Sequence, residues 1–216
     1  MNKFQFATFL MPVFVIVLFH QGRAGITADE LASQVERRYR SLSDISMDFT
    51  KITRSEVFEN PSLVQGKMLL KNPDKFRIET KDEIIVCDGK YVWDYSVENE
   101  QVVKSSVDKS ESTFQPNQYL SDFRTDYIPS LTGEEKIDKI PCFKLLLSSK
   151  QEDALIKKMT IWVDKQSYIA RKIDYRDSQD NDIVLEFKHV KVDRKIKDTE
   201  FVFQAPPGVE EVDLTE

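Results

Sequence analysis

Cysteine, histidine and glycine are all scarce in this chain of 216 residues, which has two, two and six of them. Each scarcity removes a class of chemistry. His189 is the only histidine outside the N-terminal segment, and no CxxC or HxxxH spacing occurs, so no metal site is expected. So few glycines leave no phosphate-cradling loop, and there is no GxSxG elbow. Cys87 and Cys142 have only His189 to serve as a base, and a lone histidine late in a strand reads as structural. With 37 acidic residues, no pair of carboxylates stands out as a glycosidase signature. Nothing argues for an enzyme or for a bound cofactor.

Long apolar runs are missing too, with one exception. Phe9 to Phe19 follows the positively charged Lys3 and precedes the small residues Gly22 and Ala24, which predicts a signal peptide over 1–24 cut before Gly25. The alternative, an uncleaved anchor, needs about 20 apolar residues, and this run is shorter and holds Pro12. No cysteine follows the cut, so the protein itself is not expected to carry lipid. An exported protein in the periplasm is the expectation. Losing Lys3 and Arg23 lowers the basic count from 31 to 29 against 37 acidic residues, a net charge of −8. That balance argues against nucleic acid and against resting on an anionic membrane, and it suits a freely diffusing monomer. An oxidising compartment leaves two states open for Cys87 and Cys142: a disulfide, or two separate buried thiols.

Residues 25–216 read as a single domain. Thr27 and Glu30 are spaced as a capping box, and Leu31, Val35, Tyr39 and Leu42 follow on one helical face. From Ser46 the period drops to two. Strands are expected around Met47 and Phe49, then over Val64–Lys71, Lys75–Thr80 and Glu83–Cys87. Asn72-Pro73-Asp74 and Asp88-Gly89 make the turns. Tyr91, Trp93, Tyr95 and Val97 alternate with Asp94 and Ser96, and Gln101–Ser106 returns. Between Asp108 and Gly133 the alternation stops. Pro116 is placed to open a short helix with Tyr119, Leu120 and Phe123 on one face, and Ile128 and Leu131 suggest a second turn around Pro129. This stretch reads as a cover. Five more strands follow: Cys142–Ser148, Lys157–Asp164, Tyr168–Tyr175, Ile183–Val192 and Phe201–Phe203. The sum is about ten or eleven strands, mainly β, and a filled or a hollow barrel would show the same alternation.

Three segments, taken together, resemble the LolA family of periplasmic outer-membrane lipoprotein carriers. They are Gly66–Glu79 (GKMLLKNPDKFRIE), Cys87–Tyr95 (CDGKYVWDY) and Phe201–Val209 (FVFQAPPGV). The resemblance implies an incomplete antiparallel β barrel of about eleven strands, an N-terminal helix and a short helical lid. It also implies an apolar cavity for the acyl chains of lipoproteins, which an inner-membrane lipoprotein-releasing ABC transporter supplies and an outer-membrane lipoprotein receptor accepts. On this reading Phe49, Met68, Leu70, Phe76, Ile78, Ile85, Tyr91, Trp93 and Tyr95 line the cavity. Phe76 matches an aromatic concerned with cargo release, and Ile85 another inward position. Tyr119, Leu120, Phe123, Ile128 and Leu131 form the lid. Family members have a lid-bonding arginine before the hairpin proline. Asn72 stands there instead, a departure that leaves room for a carrier or sensor of other lipids, phospholipid or glycolipid.

Overall fold

The computed structural model describes residues 25–55, 60–107, 116, 120 and 123–215. The expected first helix, α1, spans Ala28–Ser41, and its capping box closes: Glu30 N donates to Thr27 Oγ1 (3.2 Å) and Thr27 N to Glu30 Oε2 (2.9 Å). Twelve strands follow among the described residues: β1 (Asp44–Arg54), β2 (Ser62–Lys71), β3 (Lys75–Thr80), β4 (Glu83–Cys87), β5 (Tyr91–Ser96), β6 (Gln101–Ser106), β7 (Tyr127–Ile137), β8 (Ile140–Ser149), β9 (Lys158–Asp164), β10 (Ala170–Arg176), β11 (Asp182–Val192) and β12 (Glu210–Asp213).

They form one open sheet, not closed into a barrel, in the order β12-β6-β5-β4-β3-β2-β1-β11-β10-β9-β8-β7. Eleven strands pair antiparallel, and β12 joins the edge by lying parallel to β6. Hairpin chemistry sets the register of the first half. At Asp88-Gly89 the Asp88 carboxylate accepts the amides of Lys90 and Tyr91 (both 2.8 Å), and Gly89 takes φ +97°, a conformation that suits glycine.

Two readings of the sequence are corrected. Tyr127–Ile137 is a full edge strand where a second helical turn was expected, so Ile128 and Leu131 belong to β7 and are exposed. Pro129 and a bulge between Leu131 and Gly133 hide its period. Phe201–Phe203 is no strand: a 3₁₀ turn at Asp198–Phe201 leads into extended chain.

One face of the sheet, here the inner face, carries α1. Leu31, Ala32, Val35 and Tyr39 of the helix share a buried core with inward side chains of most of the strands. Each such side chain contributes about 1.5–3 kcal/mol when fully buried, so this layer supplies most of the drive to fold. The opposite, outer face carries an extended strap, residues 193–209, that crosses β3–β5 to deliver β12. Asp44 holds the start of the strap. It is 2 % exposed and accepts the backbone amides of Arg194 (2.8 Å), Lys195 (2.9 Å) and Ile196 (3.3 Å). Asp193 in turn accepts Ser43 N (2.9 Å), and Asp198 pairs with Lys71 and Lys75 (both 3.0 Å).

Candidate functional site

The register shows which side chains share the inner face. Ile45, Leu70, Phe76, Cys87 and Val92 stand side by side across β1 to β5. The next row is Met47, Met68, Ile78, Ile85 and Asp94. Phe49 lies opposite Gly66, where a Cβ would meet Glu79 O at 2.4 Å and the Phe49 ring at 2.8 Å. Glycine is therefore required for the ring to lie flat on β2. From the other half, Phe187, Leu185, Ile173, Ile161 and Leu145 continue the apolar surface. Phe49, Met68, Leu70, Phe76, Ile78 and Ile85 thus come together.

Tyr91, Trp93 and Tyr95 do not join them. Val92 and Asp94 point inward on β5, so the three aromatics face outward, the reverse of the expectation. An alternating strand has two faces whichever way it lies, and the strap decides the matter here. Tyr95 packs on Phe203 of the strap with ring centroids 5.9 Å apart, while Tyr91 and Trp93 meet edge to face at 6.1 Å. Lys104 lies over Tyr91 at 4.7 Å. A groove of about 360 Å³ on this outer side is walled by Arg77, Ile84, Tyr95, Val202 and Phe203.

What covers the inner face follows from topology. Strands β6 and β7 stand near opposite edges, so the chain between them must travel from one side of the sheet to the other. Of that stretch, Leu120 and the following Phe123 lie against the core: they are 1 % and 0 % exposed and pack with the inward residues. Pro116 and Leu120 are helical, and Tyr119 lies outside the described residues. Apolar side chains of α1, together with Leu120 and Phe123, therefore lie against the inner face.

Polar ties hold α1 and the described end of that connection. Glu36, on the buried side of α1, accepts the Arg124 amide (3.0 Å) and pairs with Arg124 Nε (3.2 Å). Lys150 Nζ donates to the carbonyls of Arg124 (2.8 Å) and Thr125 (2.9 Å), clamping the same turn from its other side. Asn72 Nδ2 donates to the carbonyls of Tyr39 (2.8 Å) and Leu42 (2.5 Å), satisfying two acceptors at the C-terminal end of α1. Asn72 thus ties down the helix, while the described end of the connection is held by Glu36, a residue the sequence reading passed over. Its position among α1's apolar residues was the available signal.

The cysteines are free and both buried. Cys87 belongs to the inner core, whereas Cys142 lies in register with Asp164, on the face opposite to Leu145. Opposite faces of a sheet cannot be bridged, so the two-thiol state holds. Burial raises both thiol pKa values, which leaves them unreactive. Among the described residues no group of three metal-ligating side chains occurs, and no helix is long and apolar enough to cross a membrane.

An open, mostly antiparallel sheet with a helix on its inner face defines a LolA-type fold. The model of the family "Outer membrane lipoprotein carrier protein LolA" matches residues 40–204, and the chain belongs to that family. An outer-membrane lipoprotein carrier protein of Legionella pneumophila (strain Paris) is 25% identical over 211 residues, 94% of this chain and 98% of that protein. An uncharacterised protein of Methanocaldococcus jannaschii is 27% identical over 205 residues, and the matched part spans 92% of this chain but 58% of the archaeal protein. Among solved structures, an uncharacterised conserved protein of Thermus thermophilus superposes with a TM-score of 0.60 at 16% identity, covering 86% of this chain and 98% of that one. The lipoprotein LppX of Mycobacterium tuberculosis does so with 0.51 at 12% identity, covering 78% and 98%. These two likenesses concern the fold.

Proposed function

We propose that this protein is a periplasmic carrier that takes the acyl chains of lipoproteins onto the inner face of its sheet. It moves them from an inner-membrane ABC transporter to a receptor at the outer membrane. One observation carries the reading: across β1 to β4 the inner face presents rows of apolar side chains, and what lies against them includes the protein's own apolar residues from α1, Leu120 and Phe123. Sheltering hydrocarbon from water contributes about 0.8 kcal/mol per CH₂, so a single long chain offers more than 10 kcal/mol gross. A carrier must also let go. Leu120, Phe123 and the α1 stripe compete for the same surface, so uptake replaces one buried contact set with another and net affinity stays moderate. Family membership and the Legionella relative support the lipoprotein as cargo.

The test is to purify the protein from the envelope and identify what accompanies it. Co-purified acylated lipoprotein supports the carrier. Free phospholipid or glycolipid alone would replace it by a carrier or sensor of those lipids, the reading that Asn72 in place of the family arginine leaves room for. A preparation free of lipid, and unable to take up an acylated peptide, would refute both.

A further inference from the structure

The groove between the strap and the sheet lies on the outer face, which the carrier function does not use. Its volume of about 360 Å³ is at the small end for a binding site and admits a few side chains. Ile84 and Tyr95 give it an apolar side on the sheet, and Val202 and Phe203 of the strap line the other. Val202 is 54 % exposed, so the strap presents apolar surface there. Arg77 brings the one charge. Its side chain is 22 % exposed, and Glu79 engages only Nε (3.1 Å). The two Nη groups have no acceptor among the described residues. The strap is unpaired along the same groove. Val202 takes extended angles (φ −105°, ψ 119°), and the amides and carbonyls of Phe203, Gln204 and Ala205 make no hydrogen bond with any described residue.

A mostly buried guanidinium with idle Nη groups and an extended backbone with idle donors and acceptors call for the same kind of guest. Hydrocarbon satisfies neither. An extended peptide satisfies both, because its backbone can form ladder bonds with residues 203–205 while alternate side chains enter the groove. We propose that this groove docks an extended segment of a partner protein, one with an apolar residue and an acidic residue two positions apart. Those two side chains share a face: the apolar one lies over Ile84 and Tyr95, and the carboxylate meets the Nη groups of Arg77. The strap is a preformed template for that segment, since Phe203 is packed on Tyr95 at 5.9 Å and the clamp at Asp44 fixes its start. Cargo on the inner face leaves the groove free, so a loaded carrier can dock as well as an empty one.

The test is a titration of isotope-labelled protein with acetyl-STVTETS-amide, followed by amide chemical shifts in NMR. Shifts are expected at residues 203–205 and at Ile84 and Tyr95. The peptide acetyl-STVTQTS-amide, which lacks the charge, should bind about tenfold more weakly, the scale of one charge-assisted hydrogen bond. Arg77→Gln should weaken the glutamate peptide by a similar factor and leave the glutamine peptide unaffected. A strap merely loosened by the substitution would weaken both peptides alike, so the two changes together separate recognition from structure. The change in the peptide is also made against an unaltered protein, whose folding is not in question. Absence of binding, shifts confined to other parts of the sheet, equal affinity of wild type for the two peptides, or equal weakening of both by Arg77→Gln overturns the docking.

Discussion

The sheet wears two covers, and they are attached by different physics. On the inner side the described cover, α1 with Leu120 and Phe123, packs through apolar side chains, with Glu36, Asn72 and the Tyr39 hydroxyl, which accepts Ala170 N (3.2 Å), as directional ties. On the outer side the strap is held by the buried Phe201 and by Phe203 on Tyr95, and its start is fixed by hydrogen bonds and ion pairs: Asp44 to three successive amides, Asp193 to Ser43, Asp198 to two lysines. Hydrocarbon can replace an apolar contact with an equivalent one. It cannot replace an acceptor for a backbone N–H. On the proposed function the inner cover is the one that lipid would replace, while the outer attachment would stay in place.

Breaking the outer attachment should produce the largest loss. Asp44→Ala leaves three strap amides without their acceptor, and unfolding in urea should show a loss of about 4 kcal/mol, with the affinity for acyl peptide of the folded fraction little changed. The same contact titrates. Burial alone would raise the Asp44 pKa, but the hydrogen bonds from Arg194, Ser43, Ile196 and Lys195 bring it below the ordinary carboxylate value. A lowered folded-state pKa stabilises above the unfolded value, about 3.9, and the contribution disappears as pH falls through the folded one. Acid unfolding of wild type should therefore extend over a lower pH range than that of Asp44→Asn, a comparison that circular dichroism can follow.

Next in size is the inner cover. Phe123→Ala should cost about 3 kcal/mol in the empty protein, and clearly less once an acyl ligand occupies the space the ring has left. An equal cost with and without ligand would show that the ring and the lipid do not share a place. Smaller still is Asn72→Ala, which removes the side-chain donor from the carbonyls of Tyr39 and Leu42 and leaves Tyr39 O with only the Leu42 amide. About 1 kcal/mol is expected, together with faster hydrogen exchange in the last turn of α1 and unchanged exchange in the strap.

What could be read from residues alone was mostly local. Thr27 with Glu30 announces α1, and Asp88-Gly89 and Asn72-Pro73-Asp74 announce their hairpins, because each signal lies within a few residues of the contact it makes. Phe76 and Ile78 could be placed on one face for the same reason, whereas Ile85 was placed inward only by the family resemblance. The direction of β5 could not be read, since Tyr91, Trp93 and Tyr95 go outward only because Phe203, more than a hundred positions away, waits there. β7 was hidden by Pro129 and a bulge, and β12 by its four residues, three of them acidic. Glu36 looks like any helix glutamate until the fold brings Arg124, 88 residues later, against it.

Asp44 begins the first strand, yet the amides it requires belong to residues 150 to 152 positions further on. A ribosome must add about 150 more residues before that carboxylate can be satisfied. The opening strand therefore stays uncommitted until residues 194–196 emerge, and folding is governed by closure of this long loop. Deleting residues 194–216 would do more than trim a segment: it would leave the opening strand holding a charge without its backbone donors.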